Sequence, residues 1–273
     1  MVSSQAAAAA RRHCLPVAAA AFVWLWPLAV AAKPCDNPDD PARITGAKEC
    51  LVVRAFPSPG ELSSPVLVAV MHGDVSSGGP AKYHVDFARK LAEQEKNLVA
   101  VAMIRPGYDD GDGNTSSGEH TNRSDHYTAD NVDAMADGVR RLRERYQASR
   151  VVLVGHSGGA ATSAVILGRR PGVADAAVLV ACPCNIGEWR RGRRPWSRSE
   201  SPHEWAGKVP PSARVIAITG ADDSNTKPSL AEDYVALLKK RGVDARFVVV
   251  PGADHNAAWF GPAVMDAVTE LTR

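Results

Sequence analysis

The five residues Gly155-His156-Ser157-Gly158-Gly159 follow the apolar run Val151–Val154 without a break and lead into an alanine-rich segment with helical spacing. A strand that turns through Gly-x-Ser-x-Gly into a helix lifts a hydroxyl to the tip of a tight turn, between residues too small to cover it. Such a hydroxyl attacks a carbonyl only when a base removes its proton. His255, in Pro251-Gly252-Ala253-Asp254-His255 directly after the last apolar run, is expected to be that base. An acid should orient the imidazole and compensate its charge. Two adjacent aspartates stand in Gly220-Ala221-Asp222-Asp223, and spacing alone leaves both open. Asp223 is favoured, because the turn begun at Gly220 needs a few residues before it can aim a carboxylate at His255. Asp254, beside the histidine, reads as a surface charge. The chemistry is acyl transfer, and its oxyanion needs backbone donors aimed at it in advance. The amide of Gly158 at the start of the following helix is one expected donor, and that of Asp74 after His72-Gly73 is the other. The Asp74 side chain would repel the oxyanion unless paired or turned away, and His72 reads as a buried loop anchor.

The elements that must position these residues follow from periodicity. Apolar, β-branched runs at 49–56, 66–71, 98–104, 151–154, 176–181, 214–219 and 245–250 predict strands. Helical spacing at 81–96, 131–146, 159–167, 229–241 and 257–272 predicts helices between them. Alternation of this kind predicts an α/β fold, with an open, mostly parallel sheet and helices on both faces. Two irregular stretches interrupt it, at 105–129 and 185–211. Loops of that length inside a compact domain usually serve a site, and 185–211 is expected to form a short cap.

Residues 1–32 read as an export signal, with Arg11 and Arg12 before an apolar stretch and Ala29-Val30-Ala31 as the cleavage site. Proline at position 27 breaks that stretch, which argues against a membrane-spanning helix. The remaining 33–273 reads as one domain. Removing residues 1–32 takes two arginines and no acids from 32 basic and 30 acidic residues, leaving 30 against 30. A balanced chain carries no message for nucleic acid, and membrane contact is expected only through an uncleaved signal. Four cysteines stay in the exported part, and an oxidising compartment favours pairing them. Cys35 with Cys50 is the favoured bond. Cys182-Pro183-Cys184 reads as two unbonded small side chains at least as readily as a strained bond or a metal site lacking further ligands.

Taken in order, Met71-His72-Gly73-Asp74, Gly155-His156-Ser157-Gly158-Gly159, Gly220-Ala221-Asp222-Asp223 and Pro251-Gly252-Ala253-Asp254-His255 resemble the α/β-hydrolase superfamily over residues 49–273. Ser201–Trp205 and Tyr234–Gly242 look like its prolyl-oligopeptidase-like and dienelactone-hydrolase-like branch. The resemblance implies Ser157 as nucleophile, Asp223 as acid by the Gly-x-x-Asp spacing, His255 as base, and Gly158 and Asp74 as oxyanion donors. His72-Gly73-Asp74 stands where that superfamily more usually has His-Gly-Gly. No metal or organic cofactor is called for. The expectation is a periplasmic or extracellular serine hydrolase of carboxylic esters. A small-peptide hydrolase is the first rival, and a non-catalytic envelope binding protein on the same scaffold is the second. No specific protein partner is expected. Trp189, Trp196 and Trp205, with His156 and Tyr127, are the candidates for a substrate wall, and the arginines between 190 and 198 for contacts to a carboxylate.

Overall fold

A strand such as Val66–Met71 has no polar face to give to water, so both of its faces must be covered. The computed structural model describes Met1 and residues 35–273; apart from Met1, the expected export signal lies outside the described residues. The chain runs β1 (Arg43–Gly46), β2 (Glu49–Pro57), β3 (Val66–Met71), α1 (Tyr83–Gln94), β4 (Leu98–Met103), α2 (Ala129–Arg145), β5 (Arg150–His156), α3 (Gly158–Arg169) and β6 (Ala176–Val180). It continues through α4 (Ile186–Trp189), α5 (Pro202–Trp205), β7 (Arg214–Gly220), α6 (Pro228–Lys240), β8 (Asp244–Val250), α7 (Ala257–Phe260) and α8 (Pro262–Thr272). The strands form one sheet in the order β1-β2-β4-β3-β5-β6-β7-β8. The β1–β2 and β2–β4 pairs are antiparallel and every other pair is parallel. This is the expected open, mostly parallel α/β architecture.

Alternate residues of β3 serve opposite cores. Leu67, Ala69 and Met71 share one with Val139 of α2, Ile166 of α3 and Leu238 of α6. Val68 and Val70 share the other with Leu91 of α1 and Val268 of α8. Strict period-two facing of an all-apolar strand is what helices on both sides require.

Three local features depart from the sequence reading. β1 was not expected, since Arg-Ile-Thr-Gly is too short to signal a strand; pairing with β2 makes it one. The predicted helix 257–272 is two helices, separated at Gly261. Pro262 has no N–H to continue the first and suits the opening turn of the second. Cys35 bonds Cys50 as expected, but Cys182 also bonds Cys184, against the reading of two unbonded side chains. The two cysteine Cα atoms, on either side of Pro183, lie 5.1 Å apart, within disulfide reach.

Candidate active site

Register brings the functional turns to one edge of the sheet. Met71 pairs with Gly155, His156 with Val180, and Gly220 with Val250, so β3, β5, β6, β7 and β8 end close to level. Ser157 sits at the β5–α3 turn with φ 52° and ψ −115°. A non-glycine residue in that region costs about 1–3 kcal/mol and persists only where neighbours over-determine it. Here the Ser157 N–H donates to Val180 O at 2.8 Å and Ser157 O accepts from Ala161 N–H at 3.0 Å. The glycines of the motif are close-approach residues. A Cβ at Gly155 would lie 2.3 Å from Gly159 O, and one at Gly159 would lie 2.3 Å from Met71 O.

The two aspartates separate cleanly. Asp222 is exposed, and its backbone N–H donates to Ala253 O at 3.0 Å. Asp223 is buried, and its Oδ2 accepts from His255 Nδ1 at 2.8 Å. Its Oδ1 accepts from the backbone N–H groups of Asn225 and Thr226, at 2.9 and 2.8 Å. Thr226, which the sequence did not single out, completes the cluster. Its Oγ1 is 2.7 Å from Asp223 Oδ2, 3.0 Å from Ala181 O and 3.0 Å from His255 Nδ1. Its one proton serves an acceptor while a lone pair shares the imidazole N–H. Burial alone would raise the Asp223 pKa; the hydrogen bonds from His255 and Thr226 outweigh it and hold the carboxyl below its ordinary value.

Ser157 and His255 line a single cavity of about 560 Å³ together with Gly73, Asp74, Tyr83 and His156. Among the described residues no hydrogen bond joins Ser157 Oγ to the imidazole, an arrangement that a bound substrate can tighten. A larger cavity of about 740 Å³, between Phe56 of β2 and Arg89 of α1, touches neither residue.

A buried cation under the loop after β3 is the largest feature that sequence reasoning missed. Arg105, only 1% exposed, donates from Nη1 to Asp74 Oδ1 at 3.0 Å and to His72 O at 3.1 Å. Its Nη2 donates to His126 Nδ1 at 2.8 Å, and its backbone N–H to His72 Nε2 at 2.9 Å. Tyr127 donates its hydroxyl to Asp74 Oδ2 at 2.6 Å. The Asp74 carboxylate is therefore paired. Burial, helped by the nearby arginine, keeps His126 neutral with a pKa of about 3. It also holds His72 well below the ordinary imidazole value. His72 is thus the expected loop anchor, its Nδ1–H donating to Gly73 O at 2.6 Å. Nothing in the local sequence around Arg105 marks it, because its partners lie 21 and 31 residues away.

Breaking this pair should be costly. Arg105→Met leaves a buried carboxylate unpaired, and the expected loss of stability is about 3–5 kcal/mol in urea unfolding. Adding Asp74→Asn to that variant should restore a large part of the loss. An Arg105→Met protein as stable as the wild type would show that the pair does not hold the loop.

Tyr83 and His156 tie the two sides of the cavity together. Gly73 N–H donates to the Tyr83 hydroxyl at 2.6 Å, which donates to His156 Nδ1 at 2.7 Å. His156 Nε2–H then reaches the His255 carbonyl at 3.0 Å. Burial lowers the His156 pKa to about 4, so the ring stays neutral and this direction of donation persists near neutral pH.

The expected substrate wall is only partly assembled. Trp189, Trp196 and His156 line the cavity, while Tyr127 and Trp205 do not. Tyr127 is buried with its hydroxyl on Asp74. Trp205 lies against α3, its backbone carbonyl 2.4 Å from where a Gly168 Cβ would stand, and its Nε1 donates to Glu200 Oε2 at 2.7 Å. The segment 185–211 divides accordingly, its first half edging the cavity and α5 packing on α3.

Solved structures with this architecture include both peptidases and esterases. The acylaminoacyl peptidase of Pyrococcus horikoshii matches with a TM-score of 0.64 at 15% identity, over 84% of this chain and 39% of its own. Est1E of Butyrivibrio proteoclasticus, solved with ferulic acid bound, matches with a TM-score of 0.65 at 15% identity, over 84% of this chain and 96% of its own. A puromycin-hydrolyzing peptidase of Mycobacterium tuberculosis gives 0.62 at 16% identity, over 84% and 38%. The chain thus spans about two fifths of these peptidases, and at such identities the likeness is one of fold. A search of curated protein sequences found no significant match. The sequence profile of the prolyl oligopeptidase family matches residues 83–269, which include Ser157, Asp223 and His255 and make up more than half of the chain. The chain belongs to the prolyl oligopeptidase family, on an α/β-hydrolase fold.

Proposed function

We propose that this member of the family is an exported serine hydrolase that transfers acyl groups from carboxylic esters to water. The observation that carries the reading is a serine at a strained turn, opening into the same cavity as an imidazole hydrogen-bonded to a buried carboxylate. His255 takes the Ser157 proton as Oγ attacks the ester carbonyl. The oxyanion is received by the backbone N–H groups of Gly158 and Asp74, the first at the positive end of α3. Protonated His255 then gives its proton to the leaving alcohol. Water, deprotonated by the same ring, releases the acid. Asp223 and Thr226 keep Nδ1–H turned inward so that Nε2 is free to face the serine.

An ester is favoured over an amide because an alcohol leaves with less demand on the alignment of the proton donor. The match over nearly the full length of Est1E is consistent with that preference. Two disulfides support an oxidising, exported setting.

An aryl fluorophosphonate should label the wild-type protein and not Ser157→Ala. Labelling retained in that variant would remove Ser157 from the mechanism, and an unlabelled wild type would favour a binding protein on this scaffold. Comparing short-chain aryl esters with aminoacyl anilides then ranks the two activities. A strong preference for the anilides would make the protein a small-peptide hydrolase.

A further inference from the structure

Resting on that hydrolase reading, we infer that the site selects substrates bearing a carboxylate, received by Arg190 and Arg193 at the wall formed by 189–196. Both arginines line the cavity that holds Ser157 and His255. The half-buried Arg190 is held in place by two indoles and a backbone carbonyl rather than by a carboxylate. Its guanidinium carbon lies 5.3 Å from the Trp189 ring centroid and 5.2 Å from that of Trp196, and these rings meet edge to face at 4.9 Å. Its Nε donates to Arg194 O at 3.1 Å, which fixes the plane of the group. Among the described residues no carboxylate lies within ion-pair distance of Arg190 or Arg193, whereas Arg191 next to them pairs with Glu188.

The remaining charges of the cavity do not cancel these two. Among the described residues Asp74 is the one acidic side chain in its lining, and Arg105 and Tyr127 already engage both of its oxygens. Trp189 Nε1 donates to Asn225 Oδ1 at 3.3 Å, which leaves the Asn225 amide hydrogens as further donors at the same wall. A second cavity of about 240 Å³ shares Trp189, Arg193 and Asn225 and adds Lys227 with the paired Arg191 and Glu188, so it too carries a net positive lining. Two guanidiniums, one of them packed against a pair of indoles, match the planar fork of a carboxylate better than they match any neutral group. A solvated cationic face would not require such packing, because a free arginine keeps its rotamer entropy in water.

The carboxylate could sit on the acyl side or on the leaving group, and matched pairs of esters distinguish the two. One pair is an aryl hemiglutarate against the aryl valerate. The other is the butyrate of 4-hydroxyphenylacetate against the butyrate of 4-methylphenol. In at least one pair the anionic ester should have a kcat/KM about tenfold higher, mainly through KM. That ratio should collapse toward unity in R190Q/R193Q. The exposed Arg193→Gln alone should lower it part of the way without disturbing the tryptophan wall. The inference is overturned if neutral esters are preferred in both pairs, or if the ratio survives the double substitution. Calorimetric binding of the same four esters to Ser157→Ala tests the selectivity without turnover. Failure of the wild type to hydrolyse any of the four esters and to react with fluorophosphonate therefore counts against the hydrolase reading, while equal binding of charged and neutral esters counts against the carboxylate site.

Discussion

Replacing Ser157 with alanine is expected to lower kcat by about a million-fold, and His255→Ala by a comparable factor, because the hydroxyl and its base act as a unit. The double variant should be little worse than either single one. Aligned donors at the oxyanion site should leave about a thousandfold acceleration over water in each. Neither change should reduce stability appreciably, since Ser157 and His255 sit at a cavity edge rather than in either apolar core. Relieving the positive φ at the serine turn is not available to alanine, so no gain is expected there. Turnover of a good aryl ester by the purified variants, after titration of residual wild-type enzyme, is the measurement. A loss smaller than about a hundredfold in either variant would mean that another group supplies the nucleophile or the base.

The same roles give the sign of the pH dependence. His255 must be neutral to accept the serine proton, so activity should be lost toward acid rather than toward base. Asp223 does not set this limb. Its folded pKa is depressed, so the stability its carboxylate contributes is present above its unfolded value and is lost only as pH falls through the lower folded one. Activity lost only at high pH would contradict a neutral imidazole as base.

Asp223→Asn is expected to reduce kcat by about ten-thousandfold, while Asp222→Asn changes it less than about twofold. The difference rests on one hydrogen bond. An asparagine at 223 can present its amide N–H to Nδ1 and turn the imidazole into the wrong tautomer, leaving the proton on the nitrogen that should face Ser157. Thr226 cannot replace the carboxylate, because its hydroxyl brings no negative charge to stabilise the imidazolium. Asp222 makes no contact with His255 through its side chain and points to water. Kinetics of the two variants on the same ester decide the matter, and a severe Asp222→Asn with a mild Asp223→Asn would transfer the acid role.

The strand–turn–helix around Ser157, the parallel sheet and the position of His255 after the last strand were all legible along the chain. Each depends on periodicity or on glycines within a few residues. Asp223 was legible only as one of two neighbours, and burial separated them. Thr226 and Arg105 were not legible, because a threonine in a polar loop and an arginine at a strand end are ordinary in sequence. Trp205 and Tyr127 were placed at the substrate wall because of what tryptophan and tyrosine commonly do; packing on α3 and bonding to Asp74 claimed them instead. The second disulfide was missed for a similar reason, since residue type alone does not mark whether two cysteines flanking one proline come within bonding reach.

What the chain determined by itself was therefore local: where strands end, where a hydroxyl is lifted by a tight turn, and which imidazole follows the last strand. Tertiary structure decided which carboxylate reaches that imidazole, how the Asp74 charge is neutralised, and which arginines face the cavity. The physical reason is that turn geometry is encoded in adjacent residues, whereas burial and charge pairing join groups tens of residues apart that only the folded sheet edge brings within hydrogen-bond distance.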